Sequence, residues 1–281
     1  MISIVQGTCV DIQSVYQGNL LFLPTSDSSN ELCNFAESIV QEVFECEINK
    51  LRTDNSTDLN LFISKARKCK NIFTNSTETK KLLRDLILDR YQSDPKSELL
   101  FDVPRLRIIP NSGFLSSGIS YNYKPHRDTW YGAGQDQINH WLGLANVSEN
   151  STFYISPSFF GRAVANNSNI FDLDEWDLKC RPVADSNRLS EERPHPVPFQ
   201  NLDTVEGLKI VMPRGQEVVF SGHHLHGSAP NSTPFVRFSI DYRVYPSRSN
   251  YSIPPNLDNK ANGDYRKYMF PVSQSVDPDQ G

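Results

Sequence analysis

A chain of 281 residues with 38% hydrophobic and 22% charged side chains has enough apolar material for one large core and too little charge excess to stay unfolded. Its formal net charge of -5 weighs against a surface built to neutralise many phosphates, so nucleic acid is not an expected partner. No apolar run reaches membrane-spanning length and the opening MISIVQGTCV lacks the basic start of a secretory signal, so a cytoplasmic location with no membrane partner is expected. Cys9, Cys33, Cys46, Cys69 and Cys180 are odd in number and lack CxxC spacing, which favours small buried hydrophobes over a disulfide framework or a zinc ribbon.

After an extended opening stretch, Ser29 or Asn30 is placed to cap a helix in which Leu32, Phe35, Ile39, Val43 and Phe44 recur at spacings of three and four. A second helical pattern covers about Leu59 to Lys70. A third runs from Asn75 to Tyr91, where Asn75 and Glu78 have capping-box spacing ahead of Leu82, Leu83, Leu86 and Ile87. From Val103 the signal changes to short runs of β type: VPRLRII, GISYNY, QINHWLGLANV, STFYISP, GLKIVM, QEVVFSG and FVRFSIDYRVY. Strands in that number and order predict a sandwich or jelly-roll barrel. The segment 156–206 is long, polar and proline-containing, and reads as a lid-like insertion. The expected organisation is one domain over 1–281, mainly β with flanking helices. It has a helical part at 1–100, a β core at 101–246 and a polar tail at 247–281 that forms a surface wrap or frayed end.

Four of the six histidines fall in two short strings, His126 in YKPHRDTWYG and His223, His224 and His226 in FSGHHLHGSAPN. On an extended backbone residues i and i+2 share a face, so His126 and Asp128 can offer an imidazole and a carboxylate to one ion. The second string ends the run QEVVFSG, and two strand ends can meet at a barrel mouth. Two histidines and a carboxylate on one face of an octahedral ion leave three positions open. That suits non-haem iron(II) binding a bidentate keto acid and dioxygen (O2), whereas a structural zinc site is closed by four ligands. Arg237, Ser239 and Asp241 share one face of a later strand, and a guanidinium with a hydroxyl two residues on can grip a carboxylate such as the distal one of 2-oxoglutarate. Counting by twos leaves both His224 and His226 open as the distal ligand.

Taken together, His126-x-Asp128, His226-Gly227-Ser228 followed by Pro230-Asn231, and Arg237-x-Ser239 resemble the iron(II)- and 2-oxoglutarate-dependent oxygenases, most of all the phytanoyl-CoA-dioxygenase-like branch. The resemblance covers about Val103 to Val244. It implies a double-stranded β-helix (distorted jelly-roll, cupin-like) core preceded by helices, metal ligands His126, Asp128 and His226, and 2-oxoglutarate held by Arg237 and Ser239. His226 is chosen over His224 because the family ligand stands before a small residue and near a Pro-Asn turn. His224 is then a packed residue or a support for the ligands. The implied reaction converts 2-oxoglutarate and dioxygen to succinate and carbon dioxide while an unactivated C–H bond is hydroxylated. A carboxylate at Asp128, where halogenating relatives carry a small residue, favours hydroxylation, desaturation or ring closure.

Around this set, Gln137, Asn139 and Trp141 share one face, and Asn139 is the candidate for a further 2-oxoglutarate contact. His140 is expected to face outward. Arg127, Trp130, Tyr131, Trp141, Phe160 and Arg162 are candidate contacts for a small-molecule substrate. Phe159 and Trp176 are expected on the lid side, and Asp172, Asp174, Glu175 and Asp177 form a solvated face. Arg243 is read either as a substrate-carboxylate contact or as an ion pair with Asp241 or Glu217. The leading expectation is a tailoring hydroxylase of natural-product biosynthesis, such as that of a cyanobacterial toxin or alkaloid. The alternatives are a hydroxylase of primary metabolism acting on an acyl-CoA, amino acid or osmolyte, and a non-catalytic cupin-like metal-binding protein. Retention of both ligand half-motifs together with Arg237 argues against the last.

Overall fold

The computed structural model describes residues 3–92, 98–121, 123–183, 191–202, 207–246 and 251–273. Its first part is β1 (Ile4–Gln6), α1 (Ile12–Tyr16), β2 (Leu20–Leu23), α2 (Asp27–Phe44), α3 (Leu59–Asn75) and α4 (Thr77–Arg90). The strands β3 (Leu99–Phe101), β4 (Arg105–Ile109), β5 (Ile138–Gly143) and β6 (Phe153–Ile155) follow. After a short helical turn, α5 (Leu173–Glu175), the chain continues with β7 (Leu208–Lys209), β8 (Glu217–Ser221), β9 (His226–Ser228), β10 (Arg237–Pro246) and β11 (Phe270–Pro271). The larger sheet has the order β1-β2-β8-β5-β10-β3-β11, with β4 also paired to β10, and the smaller sheet has the order β7-β6-β9. A double-stranded β-helix core with helices packed on one side results, as the sequence predicts.

Side-chain alternation on the larger sheet fixes what lies on each face. On β10, Phe238, Ile240, Tyr242 and Val244 point toward the helices, with Leu106 and Ile108 of β4, Leu142 of β5 and Val219 of β8 beside them. Leu32, Ala36, Ile39 and Val40 of α2, Phe62 and Phe73 of α3 and Leu83, Leu86 and Ile87 of α4 close over this face. Each such buried aliphatic or aromatic side chain contributes about 1.5–3 kcal/mol, and this layer holds the sheet rigid from behind. The opposite face carries Arg105, Arg107, Asn139, Trp141, Phe220, Arg237 and Asp241, all lining one cavity between the two sheets. Trp141, Phe153, Ile155, Ile210, Met212, Val218 and Phe220 seal its base.

Several expectations need correction. Ser26, not Ser29 or Asn30, caps α2: its side chain accepts from the Ser29 backbone N–H, and Ser29 answers as the other half of the capping box. Asn75 is the last residue of α3, and Ser76 both ends that helix and caps α4, because its hydroxyl accepts from the N–H groups of Glu78 and Thr79. GISYNY makes no strand; Gly118–Ser120 is a 3-10 turn entered through Gly118 at φ 56°, and Asn122 lies outside the described residues. His140 is 1% exposed, not outward-facing, since the helices cover its side of the sheet. There it stacks on Tyr242 at 4.5 Å and meets the Tyr91 hydroxyl at 2.9 Å. Residues 251–273 of the tail run over the surface of the insertion, where Asn262 exchanges backbone hydrogen bonds with Phe171 and Leu173. Cys33 and Cys69 are buried as expected, while Cys9, Cys46 and Cys180 are half-buried. No helix among the described residues is long and apolar enough to cross a membrane.

Candidate active site

His126 and His226 are brought together by backbone pairing. Each donates its N–H to the other's carbonyl at 2.9 Å, which places the two imidazoles side by side with ring centroids 4.3 Å apart. The close approach requires Gly227. A Cβ there would stand 2.7 Å from the Tyr154 hydroxyl and 3.2 Å from the Pro125 nitrogen. Asp128 opens a 3-10 turn, Asp128–Tyr131, which swings its carboxylate back toward both rings. Oδ1 lies 3.6 Å from His126 Nε2 and 3.9 Å from His226 Nε2.

The protonation pattern suits metal binding. His126 Nδ1 bonds the Lys124 carbonyl at 2.8 Å and His226 Nδ1 bonds the His224 carbonyl at 3.0 Å. Both protons are thereby drawn to Nδ1, and both Nε2 lone pairs turn toward Asp128. Burial and the neighbouring His126 push His226 down to about 4, so its ring is neutral at neutral pH. Burial opposes the Asp128 charge, yet its contacts with His126, His226 and Asn139 hold the carboxyl at about 2. Asp128 Oδ2 accepts from the amides of Gln137, at 2.9 Å, and Asn139. Gln137 is itself fixed by the Tyr245 hydroxyl, which donates to its Oε1 at 2.6 Å. The donor atoms of His126, Asp128 and His226 all lie within 4.8 Å of one another, as a cation with one open face needs.

Arg237 lines the same cavity from β10, while Ser239, two residues on, is buried and is not part of the cavity lining; among the described residues neither Arg237 Nε nor Ser239 Oγ has a hydrogen-bond partner. Arg237 is 9% exposed, its guanidinium carbon lies 5.7 Å from the centre of the Trp141 ring, and its Nε has no hydrogen bond. Ser239 is fully buried with its Oγ equally unsatisfied. Burial, with Arg107 nearby, brings the Arg237 pKa down to about 10. The adjacent carboxylate, Asp241, is taken by Arg107 through two hydrogen bonds of 2.5 and 3.0 Å. A buried cation and hydroxyl left unsatisfied beside a three-point metal face fit an incoming carboxylate.

The cavity, of about 330 Å³, is lined by His126, Asp128, His226, Arg237, Asn139, Trp141 and Tyr131 among the residues singled out from sequence. Asn139, expected as a 2-oxoglutarate contact, also braces the metal carboxylate: its amide nitrogen donates to Asp128 and its Oδ1 accepts from Gln137 at 2.8 Å. Four expected substrate contacts lie outside the cavity. Arg127 is fully buried and directed away from it, donating to the carbonyls of Phe159 and Arg162 and pairing with Asp258 at 3.2 Å. Trp130 is fully buried and donates to Asp258 at 2.8 Å. Phe160 packs on His224 at 4.6 Å, and Arg162 is exposed at the surface. For Arg127 and Trp130 the 3-10 turn at Asp128 is the reason: it turns the residues flanking the ligands into the interior instead of along the mouth. His224 is fully buried against the carbonyls of Ser221 and Gly18, a packed residue.

The insertion contributes Phe171, Leu173, Trp176, Arg181 and Arg193 to the cavity wall, and the tail contributes Tyr265. Of these only Trp176 was expected individually, on the lid side; for the others, aromatic and arginine residues in a lid-like segment were the available signal. Asp174 and Asp177 pair with Lys267 of the tail, Asp177 also with Arg181, and Glu175 with Lys179, so the acidic group is an ion-paired outer face. Arg243 pairs with Asp102 at 3.0 Å and lies 3.6 Å from Asp241, while Glu217 is engaged by Arg90 on the helix side.

No family model matches the chain, and no curated protein does. Among solved structures it is similar to EvdO2 from Micromonospora carbonacea var. aurantiaca complexed with 2-oxoglutarate, at 14% identity over 95% of this chain and 99% of that one, TM-score 0.48. It is also similar to SnoK, a non-haem α-ketoglutarate-dependent carbocyclase from nogalamycin biosynthesis, at 12% identity over 96% and 98% of the two chains, TM-score 0.48. Apo ThoJ, a non-haem monooxygenase, matches at 16% identity over 92% and 91%, TM-score 0.47. Identities and TM-scores at this level assign neither a substrate nor a reaction to this chain.

Proposed function

We propose that this chain is an iron(II)- and 2-oxoglutarate-dependent oxygenase that hydroxylates a C–H bond of a small molecule, in a tailoring step of natural-product biosynthesis. The observation that carries the reading is an open three-point metal face in the same cavity as Arg237, whose Nε has no hydrogen bond, with the unsatisfied buried hydroxyl of Ser239 two residues on. A structural metal site would use a fourth protein ligand and would have no need of a buried, uncompensated cation.

His126, Asp128 and His226 would hold the metal through two neutral Nε2 atoms and one carboxylate oxygen. When bound, the iron supplies coordination positions for the keto acid and dioxygen and the oxidising power for C–H cleavage. The remaining work belongs to the chain. Gln137 and Asn139 occupy the far oxygen of Asp128 and keep the near one aimed at the histidines. Arg237 and Ser239 would take the distal carboxylate of 2-oxoglutarate, with Trp141 as the floor beneath the guanidinium. Tyr131, Phe171 and Trp176 close the outer side and exclude water from the reacting carbon.

The test is succinate formation from 2-oxoglutarate by purified protein, which should require added iron(II) and dioxygen. Asp128→Ala should abolish it. Succinate formation that survives Asp128→Ala, or that proceeds without iron, would overturn the reading.

A further inference from the structure

We propose that the substrate is an organic acid whose anionic group, a carboxylate or a phosphate monoester, is received by Arg105, Arg107 and Arg243. This rests on the oxygenase reading above and adds a substrate class to it.

The charges on the cavity wall do not balance. Arg193 is matched by Glu191 at 2.7 Å and Arg181 by Asp177 at 2.6 Å. Asp128 belongs with the metal, and Arg237 with the cosubstrate. Among the described residues that leaves Arg105, Arg107 and Arg243 against only Asp102 and Asp241. Asp102, 1% exposed, receives Arg105 at 2.7 Å and Arg243 at 3.0 Å, and Asp241 receives Arg107. Three guanidiniums share two carboxylates, one positive charge over. The three arginine side chains remain 32%, 27% and 16% exposed, so their free N–H groups are open to an arriving ligand. Such a charge in a low-dielectric wall attracts an anion strongly.

Register places this cluster where a substrate must lie. Arg243 pairs across the sheet with Asn139, the residue that braces Asp128, and Asp241 pairs with Trp141 on one side and Arg105 on the other. Arg243 thus lies on the same strand as Arg237, three inward positions further along, with Arg105 and Arg107 on the neighbouring β4 and all three lining the cavity that holds the metal face. The aromatic walls argue against the opposite class, a cation. The face of Tyr123 is covered by Arg107 at 5.5 Å, that of Trp176 by Arg193 at 5.5 Å, and that of Tyr265 by Arg105 and Arg243 at 5.6 and 5.4 Å. Three of the lining rings that could help cage a cation are thus already occupied by guanidiniums.

The test is calorimetric binding to protein loaded with nickel(II) and 2-oxoglutarate, so that the cosubstrate site is filled and no turnover occurs. The probes are phenylacetate, phenyl phosphate, phenylacetamide and phenethylamine. At least one anion should bind about tenfold or more tighter than the neutral amide, and the amine should not bind; the better anion identifies the headgroup. Arg243→Gln and, separately, Arg107→Gln should erase that advantage while the affinity for 2-oxoglutarate is retained. Equal binding of amide and anions, preference for the amine, binding of neither anion, or selectivity that survives both substitutions would overturn the proposal. Failure of the wild-type protein to bind 2-oxoglutarate would instead count against the oxygenase reading, and the anion preference is then read in metal-free Arg237→Met protein, where the other anion receptor of the cavity is removed.

Discussion

Replacing Arg237 by Met should have two effects of opposite sign. In the ligand-free protein the guanidinium is 9% exposed, has no anionic partner, and has its pKa lowered from 12.5 to about 10 by burial and by Arg107. A base whose folded-state pKa is depressed destabilises the fold at every pH below that value, so at neutral pH the cost is present in full. It amounts to about 3 kcal/mol before relaxation of the surroundings, which makes a gain of about 1–2 kcal/mol the reasonable expectation for a neutral side chain of similar length. For a small-protein transition this is a rise of a few degrees in Tm. With 2-oxoglutarate present the sign reverses. Loss of a two-pronged, charge-assisted contact costs about 3 kcal/mol, or roughly a hundredfold in Kd. Thermal unfolding with nickel(II), with and without 2-oxoglutarate, reads both effects at once: the variant should melt higher than the wild type when ligand-free and gain far less from the cosubstrate. A variant that melts lower when ligand-free yet binds 2-oxoglutarate normally would refute the assignment of Arg237 as an unpartnered anion receptor.

Other expectations follow from residues away from the ligand atoms. Asp258→Asn removes the charge that anchors Arg127 and Trp130 on either side of Asp128, and should weaken iron(II) binding about tenfold while leaving the far-ultraviolet spectrum unchanged. Asn139→Ala removes one of the two amide donors to Asp128 Oδ2 and should reduce metal affinity by about tenfold, measured by competition with a chromogenic chelator. Glu217 is fully buried among Arg90, Tyr242 and His140, and despite burial these partners hold its carboxyl down to about 2. A depressed carboxyl stabilises the fold above its unfolded pKa and loses that contribution as pH falls, so the wild type should lose stability between about pH 4.5 and pH 2. Glu217→Gln should flatten that dependence and cost about 3–5 kcal/mol at neutral pH, because it leaves Arg90 buried without its counter-ion.

Much of the site was legible because its residues lie on regular strands. Arg237 and Ser239 follow from the period of two on β10, and the two histidine strings from their positions at strand ends. The residues that escaped are those set by irregular backbone or by distant chain. Arg127 and Trp130 flank the ligands in sequence and were expected at the mouth, whereas the 3-10 turn at Asp128 drives both into the interior. His140 alternates out of the cavity as expected, but that direction leads under α4, toward Tyr91, and not into solvent. Asp258 and Tyr265 lie in a polar tail with no hydrophobic period, and their roles depend on the tail's return across the insertion, which no local pattern encodes. Ser26 and Ser76 were missed as helix caps because several hydroxyl and amide side chains stand in each stretch and only the backbone geometry selects among them.

The central claim, that one cavity binds metal and keto acid together, is tested most directly by anaerobic addition of iron(II) and 2-oxoglutarate to the purified protein. A weak visible charge-transfer band should appear only when both are present, saturate at one equivalent of iron, and be lost in Asp128→Ala. Folded protein that binds iron yet gives no such band with 2-oxoglutarate would contradict the claim.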